Sequence, residues 1–407
     1  MPAGRAAAGL ALTPPTEGRL GARLGWVGAL SFASGLPYFF FNETVPVWLA
    51  ASGMSLAAIG LASGASLPWV LKFLWAPLVD RLGGRRLWIR VCLALLAVVT
   101  AVLAGADPVR HAGELAVLLL IYVTLSATQD IAIDAYTIET THGRELGVAN
   151  SVRIGAYRGA SFVSSALLVW IAGRSGWQPA FLAGAALFAG LTLAAVALPT
   201  PSRAGPPPTT LAEPLRALLS RPGIGVVIAF ALLFKLDISA MDPMTKPFWV
   251  ASGFTLEQIA ALTTGRLIAT LAGATLGGII ATRIGIFHAL WSLGAVQLLS
   301  SLGYSWAAAA GAGKTGVTAA AVFENFAQGL GTAAFLAFLM SVCERRYAAT
   351  QFALLSAIYA LSRWAAGLAS GAVAEQLGYA TYFFVTFLLG LPAYLLLPRI
   401  RAVAGGD

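Results

Sequence analysis

Long apolar segments alternate with short polar ones along the chain. About 12 apolar runs recur, centred near residues 38, 68, 97, 126, 159, 189, 235, 268, 297, 330, 361 and 388. Because roughly 20 residues of helix cross the hydrocarbon core of a bilayer, each run is long enough to be a transmembrane helix. Glycine and proline are frequent, as membrane helices tolerate, and no alternating strand pattern is present. The pattern predicts an all-helical polytopic membrane protein with 12 spans.

The chain of 407 residues is 58% hydrophobic and carries a net charge of +9, and the placement of its basic residues is informative. Most of them fall at the two ends or in alternate connections between spans: Arg5, Arg19, Arg23, Arg81, Arg85, Arg86, Arg90, Arg144, Arg203, Arg216, Arg221, Arg283, Arg345, Arg346, Arg399 and Arg401. The other connections hold only Arg110, Arg174 and Lys314. Basic residues favour the cytoplasmic side of a membrane, so both termini are predicted to be cytoplasmic. The charge therefore reflects topology and gives no indication of nucleic-acid binding.

Residues that commonly bind metals are sparse. The chain has 2 cysteines, in or beside predicted spans, and 3 histidines, in or next to loops. No Ser-His pair or metal-ligand cluster is visible within the spans. The sequence therefore predicts no disulfide, no metal, no cofactor and no catalytic residue.

The chain contains an internal repeat. Residues 46–59, "PVWLAASGMSLAAI", are echoed by "PFWVASGFTLEQI" at 247–259, and the shared Ser-Gly pairs are offset by 200 residues. The proline-rich segment 199–214 between the halves is typical of a linker. Two parallel six-helix halves are similar to the architecture of the major facilitator superfamily. The predicted segments are a disordered cytoplasmic tail (1–24), an N-terminal bundle (25–198), a cytoplasmic linker (199–221), a C-terminal bundle (222–398) and a cytoplasmic tail (399–407).

The connection after predicted span 2 reads "DRLGGRR", residues 80–86. It resembles the signature of that superfamily, in which acidic and basic groups latch the cytoplasmic ends of helices together. A basic loop that only sets the topology is the simpler alternative. The predicted latch residues are Asp80, Arg81, Arg85, Arg86, Glu139 and Arg144.

Predicted span 4 carries acids in "SATQDIAIDAYTIE", residues 126–139. A charge at the centre of a membrane helix costs about 2.5–3.5 kcal/mol on insertion scales, so it normally faces a cavity or a partner. At about 100° per residue, Asp134 lies about 40° from Asp130, on one polar stripe with Ser126 and Thr137. Glu139 falls about 180° away from Asp130, which assigns it to the latch.

The stripe on span 4 has two interpretations. Span 5 returns antiparallel with Arg153 and Arg158, so permanent ion pairs that fix the packing of the two spans are possible. Alternatively, Asp130 or Asp134 faces the cavity and binds a proton when water leaves, because burial disfavours the charged form. Asp130 is the first choice for proton coupling because it lies deeper in the membrane.

The second half has its own polar stripe on predicted span 7. Pro243 and Pro247 interrupt this span, and Pro46 interrupts span 1 at the corresponding place in the repeat. Interrupted spans in equivalent positions of two halves indicate a transporter site, although prolines that only shape kinks are the alternative. The substrate-cavity candidates across both halves are Asn42, Glu43, Gln129, Arg153, Arg158, Lys235, Asp237, Asp242, Lys246, Arg266, Glu324, Asn325, Gln328 and Arg363. The charges on the later spans could instead pair with one another.

Five motifs together resemble the AmpG muropeptide permease family, in order from about residue 30 to 398. They are "KFLWAPLVDR" (72–81), "TQDIAIDAY" (128–136), "AYRGA" (156–160), "FENFAQGLGTAAFLAFLM" (323–340) and "ATQFALLSA" (349–357). The resemblance implies a proton-driven importer of anhydromuropeptides in the bacterial inner membrane. We expect the protein to be a monomer. The family's motifs fall on Gln129, Asp130 and Asp134 in span 4, and on Glu324, Asn325 and Gly329 in span 10.

Other functions stay open at this stage. Relatives in the same larger group carry siderophores or acetyl-coenzyme A, so an importer of a siderophore or another bulky polar solute is the nearest alternative. "DPMTKP" in span 7 replaces the hydroxyl-rich segment of the family, so it could bind carboxylates or indicate a different solute. An intramembrane enzyme and a solute-sensing receptor without transport are the alternatives from other classes.

Overall fold

The computed structural model describes residues 17–81, 84–140, 146–200, 212–342 and 348–403. These ranges are helical almost throughout and contain no strand. Residues 1–16 of the predicted N-terminal tail, residues 201–211 of the predicted linker and the last four residues lie outside them.

Six membrane spans form the first half. Span 1 runs through Glu17–Phe39, a π-turn at Phe40–Thr44 and Val45–Ala51, and span 2 is broken into Leu56–Ser63, Gly64–Ser66, Leu67–Leu71, Lys72–Leu74 and Ala76–Arg81. Span 3 is Arg85–Leu103, span 4 is Ala112–Thr140, span 5 comprises Leu146–Phe162, a π-turn at Val163–Leu167 and Leu168–Ser175, and span 6 is Trp177–Val196.

Six more spans form the second half, after a short helix at Ala212–Leu219. Span 7 comprises Ile224–Leu233 and Leu236–Ala251, span 8 is Leu256–Ile284, span 9 comprises Ile286–Ser300 and Leu302–Ala309, and span 10 is Gly313–Val342. Spans 11 and 12 lie in one continuous assignment, Ala348–Val403, which is divided at Gly378 by a φ of 72°.

The predicted number of spans is confirmed within the described residues. Ten helices are long and apolar enough to cross a membrane, and one of them, Ala357–Arg401, contains both span 11 and span 12. Span 2 is the shorter apolar helix Leu56–Leu71, because it is broken by turns of 3₁₀-helix. Together these make twelve.

The predicted segment boundaries differ from the structure at both ends and in the middle. The first helix begins at Glu17, within the predicted tail of residues 1–24, and the last helix continues to Val403. The predicted linker also contains the helix Ala212–Leu219. Once a span has nucleated a helix, adding further residues to its ends costs little, so polar flanks remain helical.

The internal repeat is visible as two copies of one turn. Gly53 and Gly253 have φ values of 80° and 77°, which only glycine adopts easily. In each copy the next residue donates its N–H to a carbonyl five residues earlier: Met54 to Leu49 at 3.1 Å and Phe254 to Trp249 at 3.1 Å. This is the Schellman motif, and it ends spans 1 and 7 in the same way.

The next helix begins with the same type of cap in both halves. The Ser55 hydroxyl accepts from the N–H of Ala58 at 3.2 Å, and the Thr255 hydroxyl accepts from Gln258 at 3.3 Å. Two homologous halves therefore share their hairpin geometry as well as their sequence pattern.

The two halves meet on the side opposite the chain termini. We call the side where spans 1 and 7 begin the terminal face, and the other side the opposite face. At the opposite face, spans 2 and 11 touch through backbone, because a Cβ at Gly371 would lie 1.8 Å from the carbonyl oxygen of Leu56. The Glu375 carboxylate also accepts the N–H of Ala57 at 2.8 Å, which caps span 2 from the other half.

Candidate functional site

A cavity of about 670 Å³ lies between the two halves. Its lining residues come from the middle of spans 1, 7, 8, 10 and 11 and from the terminal-face halves of spans 4 and 5. Since the contacts described above close the opposite face, the cavity faces the terminal side. The volume falls within the roughly 300–1,000 Å³ of small-molecule sites.

Most of the predicted site residues meet at this cavity. Its wall includes Glu43, Asp130, Asp134, Arg153, Arg158, Asp242, Arg266, Asn325, Gln328 and Arg363. A smaller chamber of about 100 Å³ shares Tyr38, Glu43 and Asp242 with the cavity and adds Asn42 and Lys246. The structure thus brings charged side chains from six different spans to one place, and span 10 adds the polar side chains of Asn325 and Gln328.

Asp130 is held by residues from two other spans. The Ser34 hydroxyl of span 1 donates to one carboxylate oxygen at 2.6 Å, and the Lys72 ammonium of span 2 bonds to the other. Lys72 begins a 3₁₀ turn that interrupts span 2. Both members of this ion pair are partly exposed, Lys72 by 33% and Asp130 by 26%. The cation paired with Asp130 is thus Lys72 of span 2, and neither Arg153 nor Arg158, the partners that the sequence makes possible.

Asp134 pairs with Arg153 across the hairpin of spans 4 and 5. The guanidinium donates to the carboxylate at 2.7 Å, and both side chains remain about 40% exposed. Arg158, further along span 5, also lines the cavity. Among the described residues, Arg158 has no hydrogen-bond or ion-pair partner.

Glu43 and Lys246 form an ion pair that joins the two halves. The Lys246 ammonium lies 2.6 Å from a Glu43 carboxylate oxygen and donates to the Glu43 carbonyl at 2.8 Å. Lys246 is only 4% exposed. The π-turn Phe40–Thr44 precedes Pro46, which has no N–H to donate to the carbonyl of Asn42. The π-turn that accommodates Pro46 therefore contains Glu43, the residue that contacts the other half.

Asp242 lies between two arginines of the second half. One carboxylate oxygen is 3.8 Å from Arg266 and the other is 3.9 Å from Arg363. Both distances exceed those of direct hydrogen bonds, so the three groups form a loose cluster. Arg266 also lies over the ring of Trp249, 5.0 Å from its centroid, which fixes its direction.

Gln129 does not line the cavity, contrary to the sequence-based expectation. Its side chain is fully buried, and its amide donates to the carbonyl of Ala33 on span 1 at 3.1 Å. One residue of helix turns the side chain by about 100°, so the neighbour of Asp130 points away from the cavity and into the contact with span 1. Gln129 therefore packs two spans together.

Three further predicted cavity residues lie behind the cavity wall of the second half. Lys235, Asp237 and Glu324 are 3%, 1% and 1% exposed. Lys235 donates to Gln297 and, at 2.9 Å, to Thr332, which itself lines the cavity. Glu324 accepts from Asn325 at 2.6 Å, and its other carboxylate oxygen has no partner among the described residues. These three side chains are therefore buried beneath the residues that line the cavity.

Part of the predicted latch is described. Arg85 and Glu139 form an ion pair at 3.2 Å, and Arg85 also donates to the carbonyl of Val79 at 3.2 Å. Arg86 donates to the carbonyl of Leu198 at 3.0 Å. The side chains of Asp80 and Arg81, and Arg144 as a whole, lie outside the described residues. The contacts seen here stay within the first half.

The donors around the cavity do not resemble a metal site. Within the described ranges, no group of three or more His, Cys, Asp or Glu side chains could hold a metal ion. The carboxylates lie next to cations instead. The arrangement is suited to bind a charged organic solute and to exchange ion-pair partners.

Sequence reasoning missed several residues that complete the site. Lys72 and Ser34 bind Asp130, and the indole of Trp364 on span 11 donates to the carbonyl of Gly64 on span 2 at 3.0 Å. Because Pro68 has no N–H, it cannot donate the helical hydrogen bond to the carbonyl of Gly64, and this carbonyl is free to accept the bond from Trp364. A lysine inside a span with two prolines was the available signal for Lys72.

Comparison with known proteins agrees with this architecture. The family model described as "Major Facilitator Superfamily" matches residues 27–363. Among solved structures, the nucleoside transporter NupG superposes with a TM-score of 0.70 at 16% identity, over 94% of this chain and 98% of that one. A bacterial homologue of the lysosomal transporter Spinster, crystallised in an inward-facing and unoccupied conformation, gives 0.69 at 16%, over 96% and 98%. At these identities the likeness concerns the fold alone.

Three relatives in sequence are closer. An anhydromuropeptide permease of Escherichia coli K12 is 33% identical over 380 residues, covering 90% of this chain and 77% of that one. An uncharacterized protein of Haemophilus influenzae is 34% identical, covering 90% and 91%. The putative transporter AmpG 4 of Rickettsia conorii is 28% identical, covering 92% and 95%.

The fold, the central cavity and the family model together define a multi-pass membrane transporter of the major facilitator superfamily. Within that superfamily, the chain belongs to the AmpG-type muropeptide permease family, as the five sequence motifs suggested.

Proposed function

We propose that the protein imports anhydromuropeptides, the sugar-peptide fragments of cell-wall turnover, by proton symport with alternating access. The observation that carries this proposal is the cavity between the halves, whose wall holds the carboxylates Asp130 and Asp134 in ion pairs. The relative from Escherichia coli named anhydromuropeptide permease supports the choice of substrate.

The proposed orientation places both termini in the cytoplasm of a bacterial cell, in its inner membrane. The terminal face is then cytoplasmic, and the structure corresponds to a state open to the cytoplasm. Basic residues concentrated at this face support the orientation. The proposed cytoplasmic latch consists of Asp80, Arg81, Arg85, Arg86, Glu139 and Arg144.

Asp130 is the proposed proton acceptor, with Asp134 as the second candidate. A proton on Asp130 removes its negative charge, so the attraction that holds Lys72 is lost. Lys72 lies on the broken span 2, and span 2 packs against span 11 of the other half. Protonation at the cavity is thereby linked to the contact that closes the opposite face.

Proton coupling supplies enough energy for accumulation. One proton moving through about 150 mV provides about 3.5 kcal/mol, since 100 mV is worth about 2.3 kcal/mol per charge. This corresponds to a solute gradient of about 300-fold.

Flux measurements in proteoliposomes test the proposal. A labelled anhydromuropeptide is supplied with an imposed proton gradient, and exchange of labelled for unlabelled solute is measured without a gradient. We expect the wild-type protein to accumulate solute up to about 300-fold. Asp130→Asn should lose this accumulation and keep exchange, because its cavity still binds solute but no longer binds the driving proton.

The matched control is Asp107→Asn, the same substitution in an exposed loop between spans 3 and 4. It should accumulate like the wild-type protein. Full accumulation by Asp130→Asn would refute Asp130 as the coupling site. Absence of muropeptide flux through the wild-type protein would refute the substrate, and transport of a ferric siderophore in the same vesicles would establish the alternative solute class.

A further inference from the structure

The charges around the cavity and its adjoining chambers do not balance. Six cationic side chains line these spaces, but only four carboxylates do. The cations are Lys72, Arg153, Arg158, Lys246, Arg266 and Arg363, and the carboxylates belong to Glu43, Asp130, Asp134 and Asp242. Two positive charges are therefore in excess in a space within the membrane, where uncompensated charge is costly.

The pairing pattern locates the excess. Three carboxylates each have one cation of their own: Asp130 with Lys72, Asp134 with Arg153 and Glu43 with Lys246. Asp242 is shared loosely by Arg266 and Arg363, at 3.8 and 3.9 Å. One excess charge thus lies on Arg158 in the first half, and the other lies on the two arginines of the second half.

We infer that the cavity recognises an organic dianion at two points, one carboxylate on Arg158 and a second on Arg266 and Arg363. Guanidinium groups bind carboxylates through two parallel hydrogen bonds, which suits them to this task. The rings of Tyr38 and Tyr157, whose centroids are 6.2 Å apart, also line the cavity and offer apolar surface to the body of the ligand. The inference rests on the proposed function in one respect: the dianion is taken to be an anhydromuropeptide.

Binding at two points has a consequence for transport. Arg158 belongs to the first half, whereas Arg266 and Arg363 belong to the second half. A ligand held at both points bridges the two halves across the cavity, while a ligand with one carboxylate can occupy only one of the two points. Two-point recognition therefore predicts tighter binding of a dicarboxylate than of a monocarboxylate.

The test compares an anhydromuropeptide that carries two free carboxylates with the same compound in diamide form. The Kd of each is measured by calorimetry on the purified protein. Because hydrogen bonds to charged groups are the stronger kind, the free acid should bind the wild-type protein about tenfold to hundredfold more tightly. Arg158→Gln should weaken binding of the acid about tenfold and leave the diamide unchanged, and Arg158→Lys should recover part of the loss.

The matched control is Arg174→Gln, which lies on the same span but stacks on Trp170 outside the cavity. It should discriminate between acid and diamide as the wild-type protein does. Equal weakening of both compounds by Arg158→Gln, or no discrimination by the wild-type protein, would overturn the inference.

A second set of probes separates this inference from the proposed function. If neither muropeptide binds the wild-type protein, the proposed function fails, and linear dicarboxylates and monocarboxylates of matched length are compared instead. Tighter binding of dicarboxylates that is lost in both Arg158→Gln and Arg363→Gln would keep the two-point recognition. Equal binding of both series would overturn it.

Discussion

Asp130 in the first half and Asp237 in the second half are both carboxylates within membrane spans, but their surroundings differ. Asp130 faces the cavity and has a cation and a hydroxyl as partners. Asp237 is 1% exposed, and neither of its carboxylate oxygens has a hydrogen-bond partner among the described residues. Glu324 resembles Asp237, since one of its carboxylate oxygens has no partner in the part of the chain that the structure describes.

This difference separates two uses of charge inside a membrane. A carboxylate that faces water can exchange its partner for a proton or for a ligand at moderate cost. A buried carboxylate without a cation costs several kcal/mol when it is ionised. The pairs on the cavity wall are therefore suited to switching, whereas the buried acids of the second half have no such partner to exchange among the described residues.

The largest effect is expected at the ion pair between the halves, where a paired group is also buried. Lys246→Met leaves the Glu43 carboxylate without its cation, so the free energy of unfolding should fall by about 3 kcal/mol. Unfolding by SDS in mixed micelles measures the change. The double variant with Glu43→Gln should recover most of the loss. A double variant no more stable than Lys246→Met would contradict the role of this pair.

An intermediate effect on stability is expected when the same substitution, Asp to Asn, is made at Asp130 in the first half and at Asp237 in the second half. Asp130→Asn leaves Lys72 without its charged partner, and stability should fall by about 1.5 kcal/mol. Asp237→Asn removes no ion pair, so stability should change by less than about 0.5 kcal/mol or increase. The same unfolding assay compares the two variants. Equal losses in both would show that the contrast between the halves does not hold.

The smallest effect is expected at the predicted latch. Arg85 and Glu139 are 18% and 21% exposed, and pairs near the surface contribute about 0.5 kcal/mol. A double-mutant cycle with Arg85→Gln and Glu139→Gln should give a coupling energy of this size. A coupling energy above about 2 kcal/mol would place this pair with the buried ones.

The helices and the repeat could be predicted because they depend on local patterns. Span length follows from the apolar runs, and the paired turns at Gly53 and Gly253 follow from the shared Ser-Gly sequence. Pairing of Asp134 with Arg153 was also within reach, since the two residues lie on neighbouring arms of one hairpin. These features need little knowledge of how distant spans pack.

The remaining contacts could not be predicted, because helix irregularities change which way side chains face. The π-turn Phe40–Thr44 inserts an extra residue before Pro46, and such an insertion shifts the following face by about 100°. The 3₁₀ turn at Lys72 redirects that side chain towards Asp130, which is 58 residues away in sequence. A regular helical wheel misplaces residues beyond each of these breaks.

The glycines at the opposite face affect how tightly this side of the protein is closed to water and protons. Gly60 and Gly371 bring two backbones together so closely that a Cβ at Gly60 would lie 2.6 Å from the amide nitrogen of Gly371. Side-chain barriers fluctuate between rotamers and can admit a file of water, but a barrier made of backbone has no rotamers to open. If transport is coupled to protons as proposed, such a seal prevents protons from crossing without cargo and dissipating the gradient.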